Sequence, residues 1–123
     1  MNEIKREKTV RYFSEQIEQY KARARELTAD DRADEAVFAR VQGNIYDAFA
    51  AVFSAAVKTH GRDDEKVVQF FREKLRQIPR NWHKALENAR IHGETEKAYL
   101  ESLKLDAVSE IQRTFEEIWE VRI

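Results

Sequence analysis

Apolar residues recur at alternating three- and four-residue steps through almost the whole chain. The first run is Val10, Phe13, Ile17, Tyr20, Ala24 and Leu27, a narrow seam of the kind that helical bundles bury. A second run, Val37, Val41, Ile45, Ala48, Val52 and Ala56, stops at His60-Gly61. A third uses Val67, Phe71, Leu75, Ile78, Trp82, Leu86 and Ala89 and ends at Ile91-His92-Gly93. The fourth is Leu100, Leu103, Ala107, Ile111, Phe115 and Ile118. This spacing predicts four helices over residues 2–28, 31–60, 63–92 and 95–122. Each would be roughly 40–45 Å long at about 1.5 Å per residue.

The joints have their own chemistry. Thr28-Ala29-Asp30-Asp31 offers capping side chains, and Asp63 and Asp64 supply the negative charge that a helix start favours. Gly61 and Gly93 suit left-handed positions just past a helix end, and Thr95 can cap the last segment. Connections this short make sequential helices antiparallel neighbours. The predicted architecture is an all-α, antiparallel up-down four-helix bundle, one domain over residues 1–123.

Two residues disturb this regularity. Pro79 removes a backbone donor and clashes with the preceding turn, at about 3 kcal/mol for a continuous helix. The third helix is therefore expected to break near Ile78-Pro79-Arg80, with Asn81 capping its second half. Gly43-Asn44 could divide the second helix in the same way. Alternatively, Gly43 is carried inside a continuous helix at about 1 kcal/mol and admits another helix closely, the reading favoured here.

Composition narrows the fold class. The chain has 123 residues with 3 Gly, 1 Pro and no Cys, too few turn formers for a sandwich, barrel or α/β fold. Charged residues reach 37% while 42% remain hydrophobic, as long amphipathic helices require. Lacking Cys, the chain has no disulfide framework, thiolate zinc site or cysteine nucleophile. Net charge is −1, which argues against a nucleic-acid coat or a polybasic membrane binder. By segment, with the connecting residues Asp30, Arg62 and Glu94 counted into the segments that follow them, it is +2, −2, +3 and −4, so neighbours around a four-helix ring are opposite in sign. The residues Met1–Lys8 hold no apolar stretch, and no 18-residue apolar run occurs. The expectation is a cytoplasmic protein without a membrane span.

The second helix is the most informative. From Ile45 to Val57 its apolar positions cover an arc of roughly 220° at about 100° per residue, against little more than 100° for a peripheral bundle helix. One side, Ile45, Phe49, Val52 and Ala56, is assigned to the core. The other, Tyr46, Ala50, Phe53 and Val57, needs a second cover. Either the neighbouring helices supply it, or a second copy or partner helix does, making these four a candidate interface, or the side lines a small-molecule pocket.

The only basic concentration surrounds Pro79. Arg76, Arg80, Trp82 and Lys84 beside a new helix start form a candidate anion site, set against the plainer reading of an ion-paired outer face. His60, His83 and His92 have no Glu three residues earlier, so the Glu-x-x-His pattern of metal-carboxylate bundles is missing and no metal is expected. His60 and His92 suit helix ends, where imidazole meets free carbonyls. No phosphate loop, G-x-S-x-G or H-E-x-x-H is present, so no enzyme activity or cofactor is expected. The leading reading is a non-enzymatic interaction module that homodimerises or binds a partner helix through its second helix. An anion- or small-ligand-binding bundle using Pro79–Asn81 follows, and a DNA-associated regulator comes third.

Overall fold

A computed structural model describes residues 3–123, which form five helical segments and no strand. They are α1 (Glu3–Ala29), α2 (Ala33–His60), α3 (Asp64–Gln77), α4 (Arg80–Ile91) and α5 (Thr95–Trp119). Joined across Pro79, α3 and α4 account for the third predicted segment, and the whole is an all-α bundle. The expected first residue of the opening helix, Asn2, lies outside the described residues.

Several ends are built differently from expectation. Asp63 does cap α3, accepting from the backbone N–H groups of Glu65 and Lys66 through Oδ1 at 3.1 and 3.3 Å. Thr28 instead turns its hydroxyl back to the Ala24 carbonyl at 2.8 Å, and the start of α2 has no side-chain cap. The α1–α2 turn is made by Asp31 in left-handed backbone, with Arg32 N–H donating to Leu27 O at 2.8 Å. Gly61 is right-handed (φ −57°), so only Gly93 (φ +68°) takes the left-handed geometry assigned to both. Neither Asn81 nor Thr95 caps: both sit inside their helices, and α4 and α5 begin without a side-chain cap bond.

Helix α2 runs unbroken through Gly43. A Cβ there would meet Tyr20 Cβ at 3.0 Å, so the glycine lets α1 and α2 approach closely. Between α3 and α4, Ile78 and Pro79 both keep right-handed backbone. The packing partner nevertheless changes across them. α3 lies on α2, whereas α4 lies on α5, and α2 meets α5 directly.

The core centres on aromatic rings. Phe71 and Phe115 stack with centroids 4.3 Å apart, and Phe53 sets its edge against both. Tyr46 stacks on Tyr20 of α1 at 5.3 Å. On α2 the residues assigned to the core are buried at Ile45, Phe49 and Ala56, and the buried side extends beyond them. Tyr46 (0% exposed) and Phe53 (2%) lie in the centre, while Val37 of the expected core seam is 44% exposed. Ala48, from the same seam, is exposed as well.

Candidate functional site

The four residues expected to need a second cover find it largely inside the chain. Tyr46 is enclosed by Tyr12 and Tyr20 of α1, and Phe53 by Phe71, Phe115 and Trp119. Ala50 and Val57 are half-buried and pack against the same cluster. The neighbouring helices thus supply the cover that the 220° arc demanded, and this side of α2 presents little surface to a partner.

The arc is wide enough to leave a different strip outside. Val37, Asn44, Ala48, Ala51 and Ala55 are exposed, with Val41 and Val52 half-buried along the same side. Their spacing alternates four and three residues, as in a helix–helix seam. Between Asn44 and Val57 only Asp47 is charged, in a chain where 37% of residues are. From Val37 to Ala55 the strip measures roughly 27 Å along the helix.

The candidate anion group divides by exposure. Arg76, Arg80 and Lys84 are exposed. Trp82 is half-buried against the core, with Lys104 Nζ of α5 5.6 Å from its ring centroid. Lys104 also donates to Glu101 Oε1 at 3.2 Å. The indole face that was to stack beside arginines therefore already carries a cation. Pro79 is buried, and its carbonyl accepts from His83 N–H at 3.0 Å.

Arg76 belongs to another feature. A groove of about 520 Å³ runs between α3, the start of α1 and the residues after α5. Val68, Trp119 and Val121 form its apolar part, and Arg72 and Arg76 stand beside Glu65 and Glu73 along its α3 side. Arg72 donates through Nη2 to the Arg122 carbonyl at 2.9 Å, while its Nε is buried without an acceptor. Lys5 pairs with Glu120 at 3.3 Å, and Asp64 pairs with Arg6 at 2.9 Å.

Two polar links cross the bundle interior. Tyr12 Oη donates to Glu110 Oε1 at 3.0 Å, and Trp119 Nε1 donates to Thr9 Oγ1 at 2.9 Å. Desolvation raises the Tyr12 and Tyr46 phenols far above their ordinary 10.0, so both stay protonated at neutral pH. Neither is suited to serve as a base there. Of the histidines, His92 Nδ1 lies 2.7 Å from Asn88 O at the end of α4, and His60 packs against Phe70. Among the described residues no group of three His, Asp or Glu could hold a metal ion, and no helix is long and apolar enough to cross a membrane.

Sequence reasoning had no access to Thr9, Tyr12, Glu110 or Arg72. Their partners are distant in sequence, 98 residues for Tyr12 and 110 for Thr9, and no local pattern announces such a pair.

The fold and these surfaces define a helical bundle whose distinctive features are one uncharged helix face and one charged groove. Compared with protein-family models, curated proteins and solved structures, the chain finds no match in any of the three.

Proposed function

We propose that the protein is a non-enzymatic helical interaction module that pairs through the outward face of α2, with a second copy of itself as partner. The observation that carries this reading is the uncharged strip Val37, Asn44, Ala48, Ala51 and Ala55, exposed beside the half-buried Val41 in a chain where 37% of residues are charged. Small side chains at seam spacing let a second helix approach closely, and one face repeated on two copies is self-complementary about a two-fold axis. Asn44 would sit in the seam, where a single amide sets register.

A strip roughly 27 Å long and about 10 Å wide falls well short of the roughly 800 Å² per partner of a standard stable interface. The pairing therefore belongs to the weak, reversible class. Light scattering on the wild type and on Ala51→Glu tests it. The charge is expected to abolish a concentration-dependent rise in mass while leaving helix content unchanged. Equal behaviour of the two proteins refutes the reading.

A further inference from the structure

The groove beside α3 has a composition that the interaction reading does not use. Its cations divide into two kinds. Lys5 is neutralised by Glu120. Arg72 and Arg76 have no carboxylate within ion-pair distance among the described residues, and Arg72 makes a single hydrogen bond, to the Arg122 carbonyl. Both are on α3 one turn apart, so their guanidinium groups project over the same wall. Val68 and Trp119 line the same groove, and the Trp119 indole nitrogen is already committed to Thr9.

We infer that this groove binds an amphipathic monocarboxylate, its anion held by Arg76 and Arg72 and its apolar body laid on Val68, Trp119 and Val121. Guanidinium groups match a planar carboxylate through paired N–H donors. The volume of about 520 Å³ is in the range that accommodates a small organic molecule. Charge selects within the class. Glu65 and Glu73 line the same groove and would repel the second charge of a phosphate monoester, so a single negative charge fits better than two. A neutral amide of the same shape would leave both arginines without a counter-charge.

The test uses three probes of one shape, 1-naphthoate, 1-naphthamide and 1-naphthyl phosphate, titrated into the full chain by calorimetry and heteronuclear NMR. The protein has two tryptophans, and only Trp119 lines the groove, so Trp82 is an internal control. Naphthoate is expected to shift the Trp119 ring resonances, leave those of Trp82 in place, and bind at least about tenfold more tightly than the amide. Arg76→Gln should weaken naphthoate by about tenfold, and Glu73→Gln should strengthen it several-fold. Both positions are exposed, so neither change threatens folding. No shift at Trp119, equal affinity for acid and amide, or an Arg76→Gln protein that binds like wild type overturns the assignment. Tighter binding of the phosphate ester than of the acid also overturns it. None of these outcomes bears on self-association through α2, which has its own readout.

Discussion

Trp119 Nε1 donates to Thr9 Oγ1 at 2.9 Å in the buried interior, tying the end of α5 to the start of α1. The threonine hydroxyl in turn donates to the Lys5 carbonyl at 2.7 Å, so one oxygen serves two helices. Thr9→Val keeps the side-chain shape and strands the indole N–H. Chemical denaturation should show a loss of about 1–3 kcal/mol. In Trp119→Phe no donor remains to be stranded, so Thr9→Val should cost clearly less in that background. A double-mutant cycle with no coupling would show that the bond contributes nothing.

Tyr12 and Tyr46 look alike by burial and differ in bonding. Tyr12 reaches the Glu110 carboxylate at 3.0 Å, whereas the buried Tyr46 hydroxyl lies near Tyr12 and Glu110 but meets neither at full hydrogen-bond geometry. Removing a well-bonded hydroxyl and removing a poorly bonded one should differ in consequence. Tyr12→Phe is expected to destabilise by about 1–2 kcal/mol, and Tyr46→Phe to leave stability unchanged or to raise it by up to about 1 kcal/mol. Equal losses in the two variants would mean that Tyr46 has an acceptor in solution.

The same two phenols set an alkaline limit. Burial raises both above 10.0, so the unfolded chain releases these protons at lower pH than the folded one. Their contribution to stability is complete below pH 10 and falls as pH rises beyond it. Phenolate absorbance should therefore show a late phase that coincides with loss of helical circular dichroism. Tyr12→Phe combined with Tyr46→Phe should remove that phase. A late phase that persists in the double variant contradicts the assignment.

Gly43 tests the α1–α2 contact. Alanine would gain about 1 kcal/mol of helix propensity, yet its Cβ would lie 3.0 Å from Tyr20 Cβ, a stiff part of the facing helix. Overpacking at such a point costs about 1–3 kcal/mol, so Gly43→Ala should be neutral to destabilising by about 2 kcal/mol. A thermal melt showing clear stabilisation would mean that the two helices separate freely here.

The helical bundle was readable because its signals are local and repeated. Seam spacing on the third and fourth segments placed Val67, Phe71, Leu75, Ile111 and Phe115 correctly in the core. On α2 the same signal was ambiguous, since an arc of roughly 220° contains more than one possible seam. Periodicity chose Val37, Val41, Ile45, Ala48, Val52 and Ala56, and packing kept Ile45 and Ala56 while adding Tyr46 and Phe53, because large rings fill the space between helices better than valine and alanine do. The groove was legible only through Arg76. Its floor joins α3 to the residues around Trp119, a contact that no local pattern encodes.

The central claim is that the outward strip of α2 is a contact surface between copies. Light scattering of the full chain, from about one micromolar to several hundred micromolar, tests it most directly. Mass should climb from monomer toward dimer across that range, and Ala51→Glu should stay monomeric with the same helix content and melting temperature. A wild type that remains a single monomeric species throughout contradicts the claim.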